Sequence, residues 1–328
     1  MYPWFEQVYQ RLLRCYQQNI LPQALLFDAP DNIGIDKFIG QLSSLLLCQT
    51  GKNIPCQQCQ SCQLFSSSDG HPDYLNITPE DGKHIKLEAV QQVINMLLNT
   101  AYCGGARVIV IEGVELLNTS AANALLKTLE EPNQSVYFLL TSAHPEKVMP
   151  TILSRVQRQK IVLEDADVLP WLESRAGVEG AVILETLVSI KQAWNLANQS
   201  PFFALTLLKG SESLKIRDAL LSMLSSAENP IEMAEQSLLL GSSDEIVYWL
   251  TYIYCDLYKM QFNLSDAYIM SQDSVDVLKA IAARIDPNNV YKIYRQLLKI
   301  NDMRYQDLNL NQSLLLENLY INMIGEGA

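Results

Sequence analysis

The stretch from Arg107 to Pro132, RVIVIEGVELLNTSAANALLKTLEEP, constrains the fold of this chain more than any other. It opens with Val108 to Ile111, β-branched and apolar throughout and too short for a helix, so it reads as a strand buried on both faces. It closes with Ala121, Ala122, Ala124, Leu125, Leu126 and Leu129 at helical spacing. That helix starts near Ser120 as a candidate N-cap and stops at Pro132. A strand buried on both faces needs helices on both sides of its sheet, and the flanking sequence supplies them. Phe5, Val8, Leu12 and Tyr16 mark a first helix from about Trp4 to Gln18, ended by Leu21-Pro22. Ala24 to Phe27 is a short buried strand, followed by the turn DAPDNIG and a helix from about Asp36 to Leu47. A strand around Tyr74 to Ile77, a helix from about Leu87 to Asn99 and a strand over Val136 to Thr141 continue the alternation to about residue 162. The fold class is α/β, with a parallel sheet covered on both faces.

After Val162 the pattern changes. LEDADVLPWLESRAGVEG is polar and broken by Pro170, Gly177 and Gly180, and the chain beyond it reads as helical. Helices are expected near Val182 to Ala197 and Phe202 to Leu208, ending at Gly210. Long amphipathic segments then cover Glu245 to Gln261, Val275 to Ile285, Asn289 to Asn301 and Gln312 to Ile324. The expected organisation is an α/β domain over 1–164, a small helical domain over 165–208 and an all-α domain over 209–328. Most Leu, Ile and Tyr positions of the last belong to its core, and helical domains that close multidomain chains are also common assembly surfaces.

A length of 328 residues and a hydrophobic fraction of 48% fit a globular protein of two or three domains. A net charge of -12 disfavours a chain that wraps nucleic acid, which needs clustered Lys and Arg, so protein partners are expected. Lys127 and Lys147 could meet DNA phosphates locally, but a solvated helix face is the better explanation of them. The N-terminal MYPWFEQVYQRLLRCY has no signal-like apolar region, and no run approaches the roughly 18 apolar residues of a membrane span. The expected location is the cytoplasm, without a membrane partner.

Four of the seven cysteines, Cys48, Cys56, Cys59 and Cys62, are spaced C-x7-C-x2-C-x2-C. Thiolates two residues apart on a tight turn can hold one ion together, and four satisfy tetrahedral zinc with no position left for water, so the expected zinc is structural. The plain alternative is a group of reduced cysteines. Cys15, Cys103 and Cys255 stand apart and are expected in the core.

The turn after the first strand is where a phosphate-binding loop would lie. A working one, G-x-x-x-x-G-K-[ST], closes backbone N–H groups on phosphate oxygens and adds a Lys and a hydroxyl for magnesium. The matching positions here are Ala29, Gly34, Ile35 and Asp36, so one glycine survives, the Lys is Ile35, and the hydroxyl is an anion. Lys37 could substitute only from about 100° further round the helix. Glu112-Gly113, at the end of the Val108 strand, stands where nucleotide hydrolases of this class carry two carboxylates, and one is missing.

Ala121 to Pro132, FLLTSAHPEKVMPTILSR at Phe138 to Arg155, the four-cysteine insertion and the degenerate loop together resemble the clamp-loader branch of the AAA+ family. The second half of the chain, including LNLNQSLLLENLYI, matches mainly in length and helical layout. The resemblance implies an AAA+-type sheet domain with a zinc-bearing insertion, a small helical lid and a helical collar for oligomerisation. It implies a non-hydrolysing subunit of a DNA polymerase III clamp loader, with no functional ATP site of its own and no activity as an isolated chain, inside a DNA-directed DNA polymerase holoenzyme. Implied partners are the gamma/tau ATPase subunits, a delta subunit, the sliding clamp and primer–template DNA. Arg155 matches the Arg of the family's Ser-Arg-Cys motif, a finger offered in trans to ATP on the neighbouring subunit, although Val156 replaces the Cys. An ordinary surface arginine in a weak salt bridge is the bland alternative. Ser142 takes the place of a γ-phosphate sensor, and Phe202, in Gln199-Ser200-Pro201-Phe202, that of a sensing Arg. The rival functions are a weakly active ATPase subunit and a zinc-dependent nucleic-acid binding module.

Overall fold

The computed structural model describes residues 1–51, 53–68, 70–79, 84–130, 135–178, 190–210, 212–226, 229–262, 265–304 and 312–324. The chain forms two compact units, Met1–Val168 and Leu169–Ala328.

The first unit runs α1 (Glu6–Gln17), β1 (Ala24–Asp28), α2 (Ile35–Leu47), α3 (Gln60–Phe65), β2 (Tyr74–Ile77), α4 (Leu87–Leu98), β3 (Arg107–Ile111), α5 (Thr119–Glu130), β4 (Val136–Ser142), α6 (Pro150–Leu153) and β5 (Gln157–Lys160). The strands form one sheet in the order β2-β3-β4-β1-β5, with every neighbouring pair parallel. This is the parallel sheet that the alternation of strands and helices predicts. Alternate residues explain its composition. Leu26, Ile109, Ile111, Phe138 and Leu140 face one way and join Val90 and Val93 of α4 and Ala121, Ala122, Leu125 and Leu129 of α5 in a single core. On the opposite face Phe27 meets Phe38 of α2 edge-on at 5.4 Å between ring centroids, and Phe38 stacks on Phe5 at 4.8 Å. Both faces are therefore dry, which is why the inner strands read as unbroken apolar runs.

β5 is different. Its sequence is QRQK, with only Gln159 buried, as suits an edge strand guarded by charge. It is held by side chains: Arg158 donates to Asp28 Oδ2 at 3.0 Å and Arg11 donates to Gln159 Oε1 at 2.6 Å.

Two expectations need correction. The N-cap of α5 is Asn118, whose Oδ1 accepts the Ala121 N–H at 2.8 Å and whose carbonyl accepts that of Ala122. Ser120 is exposed inside the first turn, because the Asn side chain offers its acceptor two residues earlier. Pro132 lies outside the described residues. The polar stretch after Leu163 is not broken at Pro170 but forms α7 (Asp165–Val178), with that proline inside it. Val168 and Leu172, one turn apart and fully buried, supply the packing that outweighs the hydrogen bond the proline cannot make. Gly180 and residues 182–189 of the helix expected from Val182 lie outside the described residues.

The second unit is helical throughout its described residues: α8 (Ile190–Leu196), α9 (Pro201–Leu208), α10 (Glu212–Ser226), α11 (Pro230–Leu240), α12 (Ser243–Met260), α13 (Val275–Ala282), α14 (Pro287–Arg304) and α15 (Gln312–Ile324). α12 is its axis, with Trp249, Leu250, Ile253, Tyr254 and Leu257 fully buried. Trp249 Nε1 donates to Ser213 Oγ of α10 at 3.0 Å. Fully buried Asp256 accepts the N–H groups of Met270 and Ser271, both at 2.9 Å, and so ties the loop before α13 to α12. Among the described residues no helix is long and apolar enough to cross a membrane.

Candidate functional site

The three suspect places in the first unit converge at the C-terminal edge of the sheet. Ala29 N–H, after β1, donates to the Ser142 carbonyl at the end of β4 at 3.0 Å, and Gly113 N–H, after β3, donates to Thr141 Oγ1 at 3.3 Å. In open α/β sheets this edge is where ligands bind. Here the loop is packed by its own chain. Ile33 is fully buried, and its carbonyl accepts Trp4 Nε1–H at 3.0 Å. Lys37 points to the N-terminus instead: Nζ donates to Tyr2 Oη at 2.9 Å and lies over that ring at 5.4 Å.

Gly113 has φ +67°, and a Cβ there would lie 3.2 Å from Leu116 Cδ1. The missing carboxylate thus belongs to a backbone conformation that disfavours any side chain. Glu112 is engaged by Asn76 Nδ2 at 2.8 Å. Glu115 Oε1 accepts the N–H groups of Ala143 and His144 at 3.0 and 3.2 Å, and Ser142 Oγ accepts the latter at 3.1 Å, so Ser142 is a strand-end hydrogen bonder. Asp31, although it keeps a solvent-facing edge, has its carboxyl held above the ordinary range by desolvation and by Glu115, with His144 opposing. Asp31 and Glu115 feel each other's charge at this edge, which disfavours a further anion there.

The cysteines come together as their spacing predicts. Cys48 caps the end of α2, Cys59 is the N-cap of α3, and Cys62 lies within it. All four sulfurs lie within 4.8 Å of one another, with Cys56 and Cys62 at 3.9 Å. A tetrahedron with Zn–S of about 2.3 Å has an edge of about 3.8 Å, so the donor set fits zinc. The backbone is arranged for thiolates as well. Gly51 and Cys56 N–H groups point at Cys48 Sγ at 3.1 and 3.3 Å, and Cys59 N–H points at Cys56 Sγ at 3.3 Å. Hydrogen bonding from the Thr50 side chain and from the backbone of Gln58 and Cys59 pulls the Cys56 thiol down to about 5, while burial and the Cys59 side chain push Cys62 up to about 12. Sequence reading missed Gly51. A Cβ there would fall 2.1 Å from the Ile54 carbonyl oxygen, so only glycine fits. Its place inside the first cysteine spacing was the available signal.

A second cluster, His71, Asp73 and Cys103, also brings three donor atoms within 4.8 Å. Its hydrogen bonds mark it as structural. His71 Nδ1 accepts the Asp73 N–H at 3.0 Å and Nε2 meets Ser61 Oγ at 2.7 Å, which donates to the Leu47 carbonyl. Burial keeps the imidazole pKa below its usual value. The carboxylate of Asp73 accepts Tyr102 and Cys103 N–H groups, both at 2.8 Å, and faces Arg107 Nε at 3.5 Å. This network fastens the cysteine module to β2 and β3. It corrects the expectation for the lone cysteines: Cys103 belongs to this network, and Cys15, Cys103 and Cys255 are all half-buried rather than core.

Arg155 follows α6 and is half-exposed, bonded to Glu130 of α5 and to Thr151 and Ser154 of its own turn. The Glu130 contact spans 25 positions, so no spacing could announce it. Phe202 lies in the first turn of α9, capped by Ser200, and packs edge-on against Trp171 at 5.5 Å. Lys127 and Lys147 are exposed.

Fold and site define an α/β unit with a five-stranded parallel sheet, whose loop after β1 carries Ala29, Gly34, Ile35 and Asp36 and whose turn after β3 carries Gly113, joined to a four-cysteine module and followed by helices. Two family profiles match, "DNA polymerase III, delta subunit" over residues 4–165 and "DNA polymerase III, delta subunit, C terminal" over 211–324. The chain is 31% identical over 325 residues to DNA polymerase III subunit delta′ of Yersinia pestis, covering 96% of this chain and 93% of that one. With subunit delta′ of Escherichia coli K12 it shares 29% over 329 residues, covering 98% and 95%. The match to subunit delta′ of Haemophilus influenzae is 33% over 188 residues, 57% of either chain. The chain belongs to the delta′ subunit family of DNA polymerase III.

Proposed function

We propose that the chain is the non-hydrolysing member of a clamp loader. With gamma/tau ATPase subunits and a delta subunit, it would place the sliding clamp on primer–template DNA in the cytoplasm, as part of a DNA-directed DNA polymerase holoenzyme. The observation that carries this reading is the coincidence at one sheet edge of a self-packed loop, a left-handed Gly113 and the carboxylates of Asp31 and Glu115. No activity is expected of the isolated chain. Its contribution is rigid support together with Arg155, offered in trans to ATP bound next door, where a guanidinium stabilises charge developing on the γ-phosphate. Cys48, Cys56, Cys59 and Cys62 would hold zinc, which supplies a structural cross-link and no chemistry. Residues 165–208 would act as the lid and 209–328 as the collar through which the subunits assemble.

The test is Arg155→Ala in the reconstituted complex. Assembly is kept, and clamp- and DNA-stimulated hydrolysis falls by roughly tenfold or more. Lost assembly or unchanged hydrolysis would overturn the role. Micromolar nucleotide binding by the isolated chain would instead favour a weakly active ATPase subunit, and nanomolar salt-dependent DNA binding a nucleic-acid module.

A further inference from the structure

Arg155 is not presented bare. Its Nε–H donates to Glu130 Oε1 at 2.8 Å and NH2 donates to the same oxygen, while NH1 donates to the Thr151 carbonyl at 2.8 Å and to Ser154 Oγ at 3.1 Å. A guanidinium has about five N–H donors in a fixed fork, so most of its capacity is spent within its own chain. The edge formed by Nε and NH2 is also the edge through which arginine takes a phosphate, because carboxylate and phosphate both accept paired N–H donors in the same plane. Glu130 and a neighbouring nucleotide's phosphate therefore compete for one face of one side chain.

Resting on the trans role of Arg155, we propose that Glu130 is a positioning residue that keeps Arg155 on its own chain until nucleotide phosphate on the adjoining subunit displaces it. The geometry suits an exchange rather than a fixed bond. Glu130 is the last residue of α5 and Arg155 follows the last turn of α6, so the pair joins two helix ends. The side chains keep 48% and 30% of their surface in water. Pairs this exposed are weak, and the closed arrangement outnumbers the open one by about two- to fivefold. The open fraction is then about a third to a sixth, and the apparent affinity for anything that needs the open arginine drops about three- to sixfold. A fully buried pair would not let go, and an unpaired arginine would have no resting orientation.

Glu130→Gln in the complete reconstituted complex tests this, with hydrolysis measured against ATP concentration at fixed clamp and primed DNA. The expected result is a fall of about three- to sixfold in the half-saturating ATP concentration with the maximal rate kept. The difference should shrink at high salt, which screens an exposed pair, and Glu130→Asp, which keeps the charge, should move half-saturation back toward the unaltered protein. A purely structural capping role for Arg155 on α6 would move thermal stability and leave half-saturation alone, which overturns the proposal. So does a maximal rate that falls to the level of Arg155→Ala, because Glu130 would then be aiming the arginine rather than restraining it. Arg155→Ala, run alongside, separates the two claims. If it lowers hydrolysis while Glu130→Gln leaves half-saturation unmoved, only the restraint fails; if it changes nothing, the trans role itself fails.

Discussion

Replacing Asp73 with Asn asks how the cysteine module is fastened to the sheet, and the expected cost can be worked from its contacts. The residue is 1% exposed, and its two oxygens accept the N–H groups of Tyr102 and Cys103, both at 2.8 Å. Hydrogen bonds to a charged acceptor contribute about 1.5–3 kcal/mol each. An Asn keeps one acceptor, turns the other into a donor facing an N–H, and leaves buried Arg107 without its countercharge. Breaking a buried pair costs about 3–5 kcal/mol, but the Arg107 contact is long, at 3.5 Å, and the guanidinium keeps a 2.7 Å bond to the Met96 carbonyl. The lower end therefore applies, about 3 kcal/mol in all. In a unit spanning Met1–Val168 that lowers the melting temperature by about 6–12 °C. Equilibrium urea denaturation with and without added zinc measures it, and the double replacement with Arg107→Met gives the coupling. A loss below about 1 kcal/mol, or one repaired by metal added at this second cluster, would refute the hydrogen-bond account and make His71, Asp73 and Cys103 a ligand set.

Purified under reducing conditions, the protein should carry about one zinc per chain, lost in Cys56→Ser and sharply reduced in Gly51→Ala, where the new methyl strikes the Ile54 carbonyl; elemental analysis decides it, and full zinc in Gly51→Ala would contradict the steric argument. Gly113→Glu, which puts back the missing carboxylate, should cost about 1–2 kcal/mol through its left-handed backbone and gain no nucleotide binding in a fluorescent-nucleotide titration. Arg155→Ala in the reconstituted complex completes the set, with assembly kept and stimulated hydrolysis lowered.

The inner strands were legible because being buried on both faces leaves a mark in composition: β1, β3 and β4 lie within a residue or two of the expected spans. β5 was not, since an edge strand of Gln, Arg and Lys has neither apolar run nor alternation, and its place beside β1 is set by the backbone ladder and reinforced by the long-range bonds of Arg158 and Arg11. α7 was hidden by a proline whose cost tertiary packing absorbs. At the site, the cysteine spacing foretold the sulfur cluster, because ligands close in sequence need only local turns to meet. The left-handed Gln57, with φ +59°, makes one of those turns. Trp4 over Ile33, Asp73 under Cys103 and Glu130 against Arg155 were invisible, since each joins residues about 25 to 30 positions apart or draws on a backbone carbonyl.

The conformation of Gly113 bears on reversibility. Side chains can be exchanged one codon at a time, and Ile35 and Asp36 alone would need only two such exchanges to regain a lysine and a hydroxyl. Gly113 is another matter, because its φ of +67° has to flip before a carboxylate can be held there without strain, and its N–H bond to Thr141 goes with it. Intermediates on that route would lose stability before they gained any catalysis. On the proposed non-hydrolysing role, a chain built this way sits in a basin of sequence space that single steps do not leave, and selection on its neighbours can shape the complex without this subunit drifting into a competing engine.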